Sequence, residues 1–342
     1  MTRFTHCIVH AGMHKTGTTT VQDLLAAHRS DLAASGWFYP AIAGRGRNHN
    51  RLANRLAICT DDDLASIRDE LTGRSARAGM RLPDTGRLLL SAEDLSTRIC
   101  NPQPWEGFDD GAYWDHRRRY LARLRCVLPE SAQVEVFVCF REHEAYAHAL
   151  YATKLLSGRI EWSFPQFVRR CAPIFDYRRQ VDVLAQALGT VHVESYENLR
   201  DGLANRMFAW LGVPIRVECS PRLNPTPTLD LIHWLATAVR SQPGDAEREQ
   251  RAAFCRAYQS SPGAAGAGIQ SLWSSQQDRQ DFLGQCRPPP LEDWPAMQAT
   301  GHIPDPAALA ARTDELEAEY RQWQEESPDG RRKHWMHFWR RK

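Results

Sequence analysis

Apolar and polar positions change period along this chain in a way that predicts strands alternating with helices. Residues 6–11 (HCIVHA) form a short, partly β-branched apolar run that ends at Gly12, the pattern of a buried strand. From Thr18 the period becomes helical, with Val21, Leu24, Leu25 and His28 on one face, until Ser35-Gly36 stops it. LLLS at 88–91 predicts a second buried strand. A helix over 114–128 comes next, with Leu121, Leu124 and Leu128 inward and Pro129 closing it. VEVFVCF at 134–140 is the strongest strand, and it runs into Arg141 and a helix reaching about Leu156. A helix near 177–188, a strand at 190–195 (TVHVES) and a helix from about 199 to 211 complete the alternation.

Strands separated by helices of this length predict parallel βαβ units, hence a three-layer α/β/α fold with a central parallel sheet. Ligands of such sheets sit at the carboxyl ends of the strands, which directs attention to the residues just after 11, 90, 140 and 194. Beyond about 235 the pattern changes. SPGAAGAG (262–268) and the proline-rich 287–305 stretch read as loops, whereas 305–326 reads as a charged helix capped by Asp305. The expected organisation is a core over 1–235 and a mostly helical extension over 236–342 packed on it.

Composition narrows the class. With 43 basic against 41 acidic residues there is no global field for nucleic acid. The nine cysteines stand singly with no Cys-x-x-Cys pair, which argues against a disulfide framework or a zinc site and suits a reducing compartment. The first twelve residues hold no apolar segment of signal-peptide length, and no run approaches the roughly 20 apolar residues of a membrane span. The expectation is a cytoplasmic α/β enzyme.

HAGMHKTGTTTVQDLL, residues 10–25, carries the chemistry. A glycine-bearing loop between a buried strand and a helix aims free N–H groups and the positive helix end at an anion. Thr16, Thr18, Thr19 and Thr20 add hydroxyls, and Lys15 adds a full charge. The lysine comes after Gly12 and precedes Gly17, an order unlike that of the usual nucleotide loop, where it stands after the last glycine.

In that order the segment resembles the 5′-phosphosulfate loop of the sulfotransferases that use 3′-phosphoadenylyl sulfate, whose fold is related to P-loop nucleotide kinases. Further stretches are similar in the same sequence order. LLLSAEDLS (88–96) resembles the family's second strand, which ends in serine and glutamate. VFVCFREHEAYAHAL (136–150) resembles the 3′-phosphate segment. VESYENLRDGLANRMFAWLGV (193–213) resembles the family's next strand and helix, and SPRLNPTPTLDLI (220–232) the segment after that helix. The resemblance covers residues 1 to about 235. It implies a P-loop NTPase-like core, 3′-phosphoadenylyl sulfate as donor, Gly12 and Lys15 to Thr20 around the 5′-phosphosulfate, Arg141 at the 3′-phosphate and Tyr196 at the adenine. The family commonly has a serine eight residues after that arginine, where this chain has Ala149; His148, Tyr151 or Thr153 could help instead.

Sulfuryl transfer asks a protein mainly for positioning and electrostatic stabilisation, as phosphoryl transfer does. Lys15 meets the charge gathering on the leaving phosphate, and no metal is expected. Glu93, just past the 88–91 strand, is the first choice for general base, with His14 and His10 as alternatives. A cap or salt-bridge role for Glu93 fits equally. Gln22 either reaches the ligand or faces solvent. Loop 40–50, basic, and loop 101–119, rich in aromatics and charges, favour a carbohydrate or glycolipid hydroxyl as acceptor. The basic, aromatic end RRKHWMHFWRRK could rest on an anionic inner membrane face, or pack back on the protein. Two other functions stay open: a small-molecule kinase using ATP and magnesium, and a non-catalytic nucleotide-binding protein.

Overall fold

Five strands build one fully parallel sheet: β1 (Arg3–Ala11), β2 (Trp37–Phe38), β3 (Thr85–Ala92), β4 (Gln133–Phe140) and β5 (Thr190–Ser195). Their order is β2-β3-β1-β4-β5, so β1 is central. The computed structural model describes residues 3–41, 46–72, 85–100, 110–158, 160–199, 202–217, 227–241, 244–258, 271–295 and 302–326. Two compact units interleave along the chain. The first is Met1–His143, Arg170–Asn224 and Gln285–Met297; the second is Glu144–Arg169, Pro225–Gly284 and Gln298–Lys342.

The helices are α1 (Thr18–Ala27), α2 (Arg29–Ala34), α3 (Asn50–Ile58), α4 (Asp63–Leu71), α5 (Asp110–Val127), α6 (His143–Leu156), α7 (Phe164–Arg170), α8 (Tyr177–Leu188), α9 (Tyr196–Leu199), α10 (Leu203–Trp210), α11 (Leu229–Arg240), α12 (Asp245–Tyr258), α13 (Gln276–Gln285) and α14 (Pro306–Glu326). Alternation along the strands decides which layer each side chain joins. On one face Ile8, Leu89, Phe137 and Cys139 pack with Val21 and Leu25 of α1 and Leu203, Met207 and Phe208 of α10. The opposite positions, among them Cys7, Val9, Leu88, Leu90 and Val136, are also buried. On that side α8 packs against β4, and α5 against α8. Both faces are covered, which makes the first unit a three-layer α/β/α sandwich, as the strand and helix periods predict.

The second unit is helical in its described residues. Arg279 and Glu144 form a buried ion pair at 2.7 Å, and the Trp273 indole donates to the same carboxylate. Arg251 lies over the rings of Trp234 and Tyr320 and bonds Glu247 and Glu317, joining α11, α12 and α14. A buried charge held only when paired ties these helices together. Asp305 caps α14 by accepting from the Ala307 N–H at 3.2 Å. No helix among the described residues is long and apolar enough to cross a membrane.

Several elements depart from the sequence pattern. The expected 199–211 helix is two, α9 and α10, with the Gly202 N–H bonded to the Leu199 carbonyl between them. α3 buries Leu52, Ala53, Leu56 and Ala57, a face masked in the sequence by asparagine and arginine. Gln22 does not face solvent; it is buried on α1 beside Thr18 and Leu25. Residues 220–226 of the 220–232 segment, all of 262–268, part of the proline-rich stretch and the whole C-terminal RRKHWMHFWRRK lie outside the described residues.

Candidate functional site

β1 and β3 are neighbours, but the chain leaves β1 for α1 on one face and leaves β3 for α5, whose partner α8 packs on the other. Adjacent strands with diverging exits open a crevice at their carboxyl ends. The loop 12–17 and the segment beginning at Glu93 border it.

The loop is shaped by two left-handed residues, Lys15 at φ 65° and Gly17 at φ 76°. Gly17 precedes the first turn of α1, which contains no acidic residue to neutralise the helix end. A left-handed turn at a helix N-terminus gathers N–H groups into an anion-binding concavity. Lys15 has a Cβ, so its backbone is strained, and strain of about 1–3 kcal/mol is tolerated mainly where a function needs it. The Thr16 and Thr18 hydroxyls both donate to the Met13 carbonyl, at 2.9 and 3.4 Å. Those hydrogens brace the loop from within. Thr19 and Thr20 are half-buried in the first turn of α1.

Gly12 is required by contact. A Cβ there would stand 1.9 Å from Thr18 Cγ2 and 3.6 Å from the Glu93 Cα. Gly12→Ala should therefore push the loop off the helix start, with a stability loss of about 1–3 kcal/mol in urea denaturation. Unchanged stability would mean the loop yields freely.

Opposite the loop, the β3 end is fastened at several points. Ser96 Oγ donates to the Gly12 carbonyl at 2.8 Å, and the Glu93 N–H donates to Asn50 Oδ1 at 3.0 Å. The Ser91 N–H donates to His49 Nδ1, so His49 carries its proton on Nε2 and gives it to the Pro40 carbonyl. His14 lies between two carboxylates, Nδ1 3.0 Å from Glu93 Oε1 and Nε2 3.3 Å from Asp94 Oδ1. Burial acts against charging His14, but Glu93 and Asp94 outweigh it and raise its pKa to about 9. Burial likewise acts to raise Glu93, yet His14 and Lys15 hold it below the usual carboxylate range. Burial, helped by Arg141, lowers Lys15, while Glu93 works the other way. His10, fully buried, is pushed down to about 4 by burial and bonds the Ser91 hydroxyl at 2.8 Å. It is therefore an unprotonated but weakly basic imidazole, engaged with Ser91 through Nδ1.

Past β4, Arg141 turns back toward the loop. One guanidinium nitrogen donates to the Lys15 carbonyl at 3.4 Å, and the group lies 5.4 Å over the Tyr196 ring. Its buried Nε has no hydrogen-bond partner. The Tyr196 ring edge comes within 3.8 Å of where a Gly17 Cβ would stand. Tyr177 donates to the Arg141 carbonyl, and Glu197 accepts from the Glu142 N–H, which fixes the ends of β4 and β5. The crevice thus gathers Gly12, His14, Lys15 to Thr20, Glu93, Arg141 and Tyr196 from segments far apart in sequence.

Asp94, Asn50, Ser96 and Tyr177 were not anticipated. Asp94 directly succeeds Glu93, a doubled acid whose second member could have been noticed; the others depend on tertiary contacts. Ala149 is buried in the second unit. There Tyr151 donates to the Trp162 carbonyl, Thr153 to the Ala149 carbonyl, and His148 packs against Phe164. In the two loops expected to face an acceptor, 42–45 and 101–109 lie outside the described residues. Tyr113 and Trp114 are buried, and Arg117 is buried with its guanidinium on the Leu95, Ser96 and Arg98 carbonyls. These three hold the fold and offer no face to a sugar. No cluster of metal-ligating side chains occurs among the described residues.

No protein-family model matches the chain, and no curated protein does. Among solved structures, a sulfotransferase from Alicyclobacillus acidocaldarius is similar at a TM-score of 0.40 and 16% identity, over 73% of this chain and 95% of that one. Likeness of that size decides nothing about chemistry.

Proposed function

We propose that the chain is a sulfotransferase that moves a sulfuryl group from 3′-phosphoadenylyl sulfate to a hydroxyl of a carbohydrate or glycoconjugate. The observation that carries this is the pairing, across one crevice, of a left-handed lysine turn at a helix start with an ionised carboxylate at the neighbouring strand end. Cations and N–H groups on one side suit a leaving phosphate, and Glu93 on the other suits an acceptor proton.

The residues fit such a donor. Gly12 lets the loop lie close against Thr18, Lys15 with the amides at the start of α1 would hold the phosphosulfate, and the orphaned Arg141 Nε is a donor for the 3′-phosphate. Tyr196, beside Arg141, would hold the adenine. When bound, the donor supplies an activated sulfuryl group. Lys15 stabilises charge left on the departing phosphate, and Glu93 accepts the acceptor's proton. The acceptor class rests on the aromatic and basic residues of 40–50 and 101–109, among them Arg45, Trp105 and Phe108.

Donor carrying radiolabelled sulfur, mixed with the protein and crude glycan acceptors, should yield labelled glycan. Firm binding of 3′-phosphoadenosine 5′-phosphate with no transfer to any acceptor would favour a non-catalytic nucleotide-binding protein.

A further inference from the structure

His14 has surroundings that a phosphate loop alone does not require. Each ring nitrogen faces a carboxylate oxygen, Glu93 Oε1 at 3.0 Å and Asp94 Oδ1 at 3.3 Å. A neutral imidazole has one N–H, so acceptors at both nitrogens call for both to be protonated. We propose that His14 is an imidazolium strut that pins Glu93 against Asp94 and keeps Glu93 ionised, a positioning residue and not the base; this rests on the sulfuryl-transfer reading.

With both N–H groups engaged, His14 has no lone pair with which to take a substrate proton. Glu93 Oε1 is occupied by His14, which leaves Oε2 for the acceptor hydroxyl. The strut is covalently next to Lys15, so the group that meets the leaving phosphate and the group that takes the proton keep a fixed separation. Ser96 on the Gly12 carbonyl and Asn50 on the Glu93 N–H fasten the same two segments. Misplacement by about 1 Å can cost a hundredfold in rate, which gives such fastening a purpose.

Charged and titratable groups face the strut from several neighbouring elements, among them Arg117 of α5, which donates to the Leu95 and Ser96 carbonyls of the same turn. Lys15 shares its loop, and Arg141 from the β4 end acts on Lys15. Neutral His10 at the β1 end interacts with Glu93. Tyr120 of α5 interacts with Asp94 and with Arg98, which lies just past the Glu93–Ser96 turn. Among them the two carboxylates dominate His14, whose pKa of about 9 agrees with the geometry.

Two readouts test this. In the pH profile of transfer, His14→Gln should move the acid limb upward by about one pH unit, because Glu93 loses its adjacent cation. A rate lowered equally at every pH with the limb unmoved would overturn the proposal. The second readout needs no transfer. Nitrogen NMR of the unmutated protein, with the His14 signals assigned by their loss in His14→Gln, should show both ring nitrogens protonated at pH 7.5. Asp94→Asn should lower the midpoint. A singly protonated ring at pH 7.5 would overturn the strut. If the ring is doubly protonated yet no acceptor is ever labelled, the charge state of His14 is upheld and the sulfuryl-transfer assignment is what fails.

Discussion

Lys15→Ala is expected to lower sulfuryl transfer by about 100- to 1,000-fold, the usual effect of losing one preorganised group that stabilises developing charge. The side chain stands at a left-handed turn beside Glu93 and Arg141, half-buried, where its charge is felt more strongly than in open water. Truncation to alanine adds no bulk at the strained backbone position, so folding should survive. Lys15→Gly would relieve that strain altogether and separates the two effects: equal loss in both variants assigns the loss to the ammonium. Because burial and Arg141 hold Lys15 below its ordinary value, transfer by the unmutated protein should fall on the alkaline side earlier than a free lysine would dictate. The measurement is single-turnover transfer against pH, with thermal unfolding as control.

Glu93→Gln is expected to cost about 100- to 10,000-fold in turnover while 3′-phosphoadenosine 5′-phosphate still binds, since a positioned general base contributes on that order. The amide keeps the size of the carboxylate, and the contact that fixes residue 93 to Asn50 is made by the backbone. His14 loses one of its two anionic partners, so its pKa should fall toward the ordinary range as well. The neighbours set the sign: Glu93 is held low by His14 and Lys15, so unmutated activity should persist well into mild acid and vanish only as that carboxylate is protonated. Near-normal turnover in Glu93→Gln would retire the assignment and leave Glu93 as a structural partner of His14.

Much of the fold was legible because its central strands are buried on both faces. VEVFVCF is a nearly continuous apolar and β-branched run, TVHVES at the sheet edge is half-buried and alternates valine with polar residues, and both strands and the 177–188 helix lie where the pattern puts them. β2, only Trp37 and Phe38, is too short to show any period, and it is defined by pairing with Arg87 and Leu88. α3 was hidden because asparagines and arginines interrupt its apolar face, and its role appears only when Asn50 meets the Glu93 backbone. In the site, Gly12, Lys15 and Gly17 could be named from local spacing, since turn chemistry and charge are local, whereas Arg141 was named only through the resemblance of its segment. The His14 clamp could not, because it needs the loop after β1 and the residues after β3 to meet, which is a property of strand order and not of either segment.

Titration calorimetry with 3′-phosphoadenosine 5′-phosphate and, separately, ATP with magnesium tests the central claim most directly. Tighter binding of the former, abolished or strongly weakened in Lys15→Ala, is the predicted result. Tighter binding of ATP with magnesium, or affinity for the bisphosphate that Lys15→Ala leaves intact, would contradict it.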